Sequence, residues 1–555
     1  MFLRQAIHLR DGEWLGPYDL LTLAKGMFYP LFVAVGYEFH IPLVTWQHMF
    51  YLASCAVLVV AVAGIYQKPW QKAVLFAVLA VNPAVLIDLT VTFRERIYSS
   101  LTLLVLACLV GVYARRRASV AALLGWSAGL GLALSAFWLT REEGAWMLPA
   151  CAACAAYVAW DVARWKPADR LARWGACAAP FALLALSVGA ISAMNFRHYG
   201  VFMTNELKSG EFRAAYGSLL RVKHEKELRY VAVPRETRER IYAVSPSFAR
   251  LRPWLEGENA KYWGKYSMYA IGREAYENGE IGVGHFMWAF RSAVDKIGCC
   301  RSARQAQEFY RTLAEEVNGA CERGQLECGP RRDSLAPPWP SGGALPLAGT
   351  FLKGVTDGVS LQWESVRLVT EGVSLPWERV INPYSSSPLG RQPGVYRQIT
   401  SMESAPGKED AAAWESEHPE AASVLRGKTA IIHGMITAYA WVVPPAAVMA
   451  AAWNVFMLWR AVRGKKVSAV FWICSILFLA YVCRIALLAY VDFMVTAVAL
   501  DFRRLSATYG LVLAYSTVGL LDMYAAVAPG ALRALKAGVL RGRTGPNGKG
   551  DASCR

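Results

Sequence analysis

Charge is scarce in this chain. Asp, Glu, Lys and Arg make up 18% of its 555 residues, against about 25% in an ordinary soluble domain. The deficit is concentrated in long uncharged runs, which excludes a conventional soluble fold. The sequence also lacks a Walker loop and a dinucleotide fingerprint, so the expected cofactor is none. Only one C-x-x-C is present, Cys151 and Cys154, and it sits inside an apolar run where cysteine packs as a small hydrophobe. Zinc needs paired ligands at set spacing, and the expected metal is likewise none. Finally, Met1–Phe2–Leu3 runs straight into Arg4, His8, Arg10 and Asp11, without the apolar stretch of a signal peptide.

What is present is hydrophobic length. A membrane helix needs about 20 mainly apolar residues. The runs that qualify are Leu43–Tyr66, Ala73–Val91, Ile97–Val112, Val120–Leu139, Ala145–Trp160, Gly175–Met194, Ala430–Leu458, Val467–Leu488 and Ala507–Val527. Ile97–Val112 and Ala145–Trp160 are short for a full crossing. Ala73–Val91 carries Asn82, Pro83 and Asp88, which predicts a break. Val491–Leu500 is too short to cross and is expected at the interface. The formal net charge of +17 would suggest nucleic acid in a soluble protein. Here much of it lies in short loops at Lys68, Lys72, Arg115–Arg117, Arg164–Arg173, Arg460–Lys466 and Arg533–Arg543. The positive-inside rule makes those loops cytoplasmic and explains the charge; no nucleic-acid partner is expected.

The resulting fold class is an all-α polytopic membrane protein of about nine spans. A mixed, mainly helical extracytoplasmic domain is inserted between spans six and seven. The divisions are a first external segment 1–42, a bundle 43–194, the external domain 195–428, the last spans 429–530 and a basic cytoplasmic tail 531–555. An N-terminus placed outside without a leader predicts that the chain starts within the first external loop of a longer protein; a short N-out tail is the alternative. In the domain, Phe212–Tyr230, Glu236–Tyr242, Tyr262–Asn278, Phe286–Val294 and Ser302–Val317 read as helices, the last by its 3.6-residue apolar spacing. Ala336–Pro346 reads as a loop. Val355–Val366 recurs as Val369–Val380, two copies, too few for a solenoid. Cys299, Cys300, Cys321 and Cys328 lie in a compartment that permits disulfides, with three possible full pairings.

The informative charges break the positive-inside bias. Arg94, Glu95 and Arg96 join spans two and three. Arg141, Glu142 and Glu143 join spans four and five. Asp501, Arg503 and Arg504 open the last span, and Arg484 lies inside span eight. Lys25 stands in the otherwise uncharged stretch Ala24–Pro30. All fall on one face. Ionisable groups at span ends are costly and usually functional. Arginine forks and a lysine point charge suit a lipid phosphate, and a carboxylate there takes a proton from an attacking hydroxyl. Arg–Glu pairs that only tie helix ends together are the plain alternative for any one cluster; three clusters plus Lys25 on one face favour a site.

With Gly12–Asp19, Thr22–Gly26 and Tyr29–Leu31 beside Arg94–Glu95, Arg141–Gly144 and Arg504, the chain resembles the GT-C superfamily of membrane glycosyltransferases. The nearest branch is the lipid A aminoarabinose transferase and lipopolysaccharide-core galacturonosyl transferase type. The resemblance implies a bacterial cytoplasmic membrane, a polyprenyl-phosphate sugar as donor and a glycan, lipid or protein as acceptor. It places Lys25 on the lipid phosphate. The family's aspartate in the first external loop has no clear counterpart; Asp11 and Asp19 remain, and Asp19 is the candidate. The expected catalytic residues are therefore Glu95, Glu142 and Asp19. The expected substrate-binding residues are Lys25, Arg94, Arg141, Glu143, Arg484, Arg503 and Arg504. A flippase of lipid-linked sugars and a non-enzymatic scaffold are the rivals.

Overall fold

The computed structural model describes residues 1–87, 94–226, 228–340, 342–360, 416, 419–496, 500 and 502–543. Asp88, Asp501 and the second copy of the repeat lie outside the described residues, as does the side chain of Arg503.

The described chain is an all-α membrane protein. Nine of its helices are long and apolar enough to cross a bilayer: Leu43–Val62, Pro69–Leu86, Glu95–Ala114, Val120–Thr140, Gly144–Trp165, Arg170–Tyr199, Ala430–Val462, Ala469–Met494 and Arg504–Val527. They are numbered spans one to nine in chain order. Among the described residues there are no strands, only isolated bridges between Val222 and Cys328 and between Val231 and Gly282.

The two spans whose apolar runs are short for a crossing reach full length in the structure. Span three begins at Glu95 and span five at Gly144, giving lengths of 20 and 22 residues. Span three gains Glu95 and Arg96 at its start, and span five runs on past Trp160 through Asp161 to Trp165. The carboxylates in those extensions are neutralised by distant residues: Arg141 bonds Glu95 at 2.8 Å and Arg117 bonds Asp161 at 2.7 Å. Helix therefore continues where an unpaired charge would stop it. Span two is broken as its sequence predicts. Helix Pro69–Ala80 ends, Asn82 Oδ1 accepts from the Ala84 amide at 3.0 Å, and a short helix Pro83–Ile87 follows. Asn82 also donates to Tyr51 Oη at 3.1 Å, and Tyr51 donates to the Leu79 carbonyl at 2.8 Å. Those two bonds occupy polar groups that hydrocarbon would leave unsatisfied.

Span three is the axis of the bundle and packs against spans one, four and nine. Its Gly111 admits the Trp126 ring of span four so closely that an added Cβ would lie 1.9 Å from a ring atom. Ser119 and Ser468 cap spans four and eight by accepting from the Ala122 and Phe471 amides, the standard way to occupy an orphan N–H.

The inserted domain has its own core of Phe212, Tyr216, Phe286, Phe290, Tyr310 and Leu313. Helix Ala303–Glu322 is its longest element, capped by Ser302. The expected helix Phe212–Tyr230 ends at Leu220. The expected helix Tyr262–Asn278 divides at Gly272, whose φ of +84° separates helix Glu258–Ile271 from the short helix Arg273–Glu277. Part of the expected loop Ala336–Pro346 opens the helix Ala344–Ser360, which also carries the start of the first repeat. The first segment forms two helices, Phe2–Arg10 and Phe28–Glu38. Cys321 and Cys328 are disulfide-bonded, whereas Cys299 and Cys300 are buried thiols.

Candidate functional site

The site gathers at the end of the bundle that faces the inserted domain. Span three starts there, span four ends there, span five starts there, and spans eight and nine meet there. The turn Arg141–Glu143 between spans four and five is its centre. Arg94 grips Glu142 in a fork, Nη1 to Oε1 at 2.9 Å and Nη2 to Oε2 at 3.1 Å, and also donates to the Thr140 carbonyl at 3.1 Å. Lys25 Nζ approaches Glu142 Oε2 at 3.8 Å. Arg141 bridges Glu95 at 2.8 Å and Glu143 at 3.0 Å. Arg484, 1% exposed, reaches Glu143 at 2.9 Å from within span eight and donates to the Arg504 carbonyl at 3.4 Å.

Four cations, Lys25, Arg94, Arg141 and Arg484, thus meet three carboxylates, Glu95, Glu142 and Glu143. The arginines are the more buried partners and the carboxylates the more exposed, at 19–27%. Aromatic faces line the floor. Tyr98 lies 5.3 Å below Arg141 and 5.5 Å below Arg484, and Trp146 lies 5.5 Å from Arg484 while donating to Tyr98 Oη at 2.8 Å. Among the described residues the buried Nε atoms of Arg141 and Arg484 have no hydrogen-bond acceptor.

Local sequence explains how Lys25 arrives. Gly26 packs on the end of span four, where an added Cβ would stand 2.0 Å from the Leu139 carbonyl oxygen. Only glycine lets the first segment lie this close. The buried Glu206 anchors that segment from the other side: its amide donates to the Leu23 carbonyl at 2.8 Å, and its carboxylate pairs with Arg291. Arg291 in turn donates to the Leu20 carbonyl at 2.7 Å.

The electrostatics follow from this packing. Burial pulls the Lys25 ammonium down to about 8, partly opposed by Glu142. Burial works against the Glu142 charge, but Arg94 and Lys25 outweigh it and bring that carboxyl to about 2. Glu143 is also opposed by burial and is held far below the usual range by Arg141 and Arg484. Glu142 and Glu143 are therefore anionic at any physiological pH.

The structure brings Lys25, Arg94, Glu95, Arg141, Glu142, Glu143 and Arg484 together, with the Arg504 backbone at their edge. Asp19 is elsewhere. It is bound by Arg4, by Thr22 Oγ1 at 2.9 Å and by the Leu21 amide at 2.9 Å. Among the described residues it makes no ion pair with the cluster. Sequence reasoning missed Lys208, Trp138 and Trp288. Lys25 lies 5.0 Å from the Trp288 ring centre, and Lys208 lies 4.7 Å from that of Trp138. The one available signal for Lys208 was a cation shortly after span six, at the end of the bundle where the Arg–Glu turns lie.

The opposite end of the bundle carries a separate set: Asp161 with Arg116 and Arg117, and Arg173 with Asp169. These tie loops. A surface depression of about 450 Å³ between Lys226, Arg235, Glu236, Glu239 and Glu280 belongs to the inserted domain, away from the cluster. Among the described residues no three His, Cys, Asp or Glu side chains are grouped as a metal site. No protein-family model, no curated protein and no solved structure matches the chain.

Proposed function

We propose that this protein is a membrane glycosyltransferase that moves a sugar from a polyprenyl-phosphate donor to an acceptor on the face of the inserted domain. The observation that carries the proposal is the convergence of Lys25, Arg94, Arg141 and Arg484 from the first segment, the ends of spans three and four and the interior of span eight onto one turn at the bundle mouth. A phosphate attached to a lipid is held where its tail lies among the spans and its head meets fork-shaped donors. In the proposed orientation that mouth is extracytoplasmic and the membrane is the bacterial cytoplasmic one.

In the reaction an acceptor oxygen attacks the anomeric carbon and forms the new glycosidic bond. The bond from that carbon to the phosphate oxygen breaks, and its electron pair stays on the phosphate. The acceptor proton passes to a carboxylate. A carboxyl near 2, as in Glu142, is a weak base; its role is to hold Lys25 and Arg94 in place. Glu95 suits the proton better, because only Oε1 is engaged by Arg141 among the described residues. Flipping a lipid-linked sugar would call for polar groups along the depth of the bundle. Arg484, the charge set deepest in span eight, instead joins the mouth through Glu143.

The test uses the full chain in lipid nanodiscs, supplied with radiolabelled polyprenyl-phosphate sugars and a lipid extract as acceptor. Wild type is expected to release polyprenyl phosphate and label the extract, and Lys25→Gln and Arg141→Gln to lose both. Absence of release and of polyprenyl-phosphate binding by the folded wild type would reject the proposal.

A further inference from the structure

Lys208 is half-buried in the turn Glu206–Lys208 that comes after span six. Asn205 caps that turn by accepting from the Lys208 amide at 3.1 Å. Its ammonium lies over the Trp138 ring, and among the described residues no carboxylate comes within ion-pair distance. Trp138 stands two residues before Thr140, whose carbonyl holds Arg94.

The contacts form a closed circuit. Lys25 stacks on Trp288, and Arg291 lies 5.3 Å from the centre of the same ring. Arg291 pairs with Glu206, Glu206 opens the turn that carries Lys208, and Lys208 lies over Trp138. Span four then leads back through Thr140 and Arg94 to Glu142 and Lys25. Two lysines thus stand beside the end of span four, Lys208 on Trp138 and Lys25 at Glu142. Glu142 is the strongest charge acting on each that opposes the effect of its burial. Lys25 has that carboxylate as a partner within 4.0 Å; Lys208 has none among the described residues.

We propose that Lys208 is a substrate-binding residue that recognises the second negative charge appearing on the lipid phosphate. This rests on the glycosyltransferase reading. The donor is a phosphodiester with one negative charge. When the bond between the anomeric carbon and oxygen breaks, the electron pair remains on phosphate and the product is a monoester with up to two. A cation without a protein carboxylate as partner is free to take that added charge, and an interaction that strengthens as charge develops accelerates the step. Lys25 and Arg94, already engaged by Glu142, meet the charge both species share.

The experiment measures binding of two short probes to the full chain in detergent at pH 7.5: farnesyl monophosphate and methyl farnesyl phosphodiester. Wild type is expected to prefer the monoester. Lys208→Gln is expected to weaken monoester binding about tenfold, the size of a charge-assisted bond, and diester binding less than about twofold. Lys208→Arg is expected to restore the preference, and Trp138→Leu, which removes only the platform, to reduce it in part. Lys25→Gln is expected to weaken both probes alike. An unchanged monoester-to-diester ratio in folded Lys208→Gln, with Lys25→Gln weak on both probes, overturns the inference alone. Failure of wild type to hold either probe, or full binding by Lys25→Gln, overturns the underlying reading as well.

Discussion

Replacing Glu143 is expected to damage the protein more than replacing the arginine it pairs with. Glu143 is shared by Arg141 at 3.0 Å and Arg484 at 2.9 Å. In Glu143→Gln, Arg141 keeps Glu95, but Arg484 is left, among the described residues, with no carboxylate: it has the amide oxygen of the new side chain, the Arg504 carbonyl and the faces of Tyr98 and Trp146. Stranding a buried charge costs about 3–5 kcal/mol. With the Glu143 side chain 27% exposed, solvent screening places the loss near the lower end, about 3 kcal/mol. In Arg484→Met, Glu143 keeps Arg141 and a flexible thioether fills the slot between two aromatic rings, for a cost below about 1.5 kcal/mol. The double variant has neither the charge nor the stranded partner. Its loss is expected near 2 kcal/mol rather than the sum of the singles, a coupling of up to about 2.5 kcal/mol. Reversible unfolding in mixed micelles, followed by near-ultraviolet circular dichroism, measures all three. Additivity within about 0.5 kcal/mol, or equal losses from both singles, would refute the shared-carboxylate reasoning.

The same geometry sets four further outcomes. Lys25 is protonated below about 8 and neutral above, so lipid-phosphate binding is expected to fall as pH rises through 8, and Lys25→Arg to carry binding to higher pH. Glu142 has a folded value near 2 against 4.5 for the free group. Its contribution to stability is therefore complete above about 4.5 and lost as pH falls toward 2, which an acid-unfolding titration of Glu142→Gln against wild type reads directly. Gly26→Ala pushes a methyl against the Leu139 carbonyl and is expected to cost about 1–3 kcal/mol while weakening phosphate binding beyond what the stability loss explains. Replacing both Cys321 and Cys328 by alanine opens a loop with a sequence separation of 7 and is expected to cost roughly 2 kcal/mol by loop entropy, seen in chemical denaturation of the inserted domain.

The fold was legible because bilayer thickness imposes one dominant rule on sequence: apolar length. The count misjudged spans three and five because it stops at charge, whereas Glu95 and Asp161 are neutralised by Arg141 and Arg117, more than forty positions away. The Asn82 break was readable because an amide and a proline inside an apolar run demand local repair. The cluster around Glu142 was readable because Arg94, Arg141 and Arg484 border or interrupt apolar runs at the ends away from the basic loops, a pattern that needs no partner to be noticed. Lys208 and Trp288 gave no comparable sign. Each occupies an ordinary polar or amphipathic stretch, and its importance comes from a ring or carboxylate on another element. Asp19 illustrates the reverse: a carboxylate in a suggestive loop is satisfied locally by Arg4 and Thr22.

The Glu143–Arg484 bond joins residues 341 positions apart. During synthesis, spans three to five enter the bilayer long before span eight leaves the ribosome. For that interval the turn between spans four and five has Arg141 and Arg94 but lacks its deepest cation, and the pocket floor is open on one side. Completion of the charge cluster therefore waits for span eight, and a chain stalled before Arg484 would leave Glu143 held by Arg141 and not yet by the residue that ties it to the later spans.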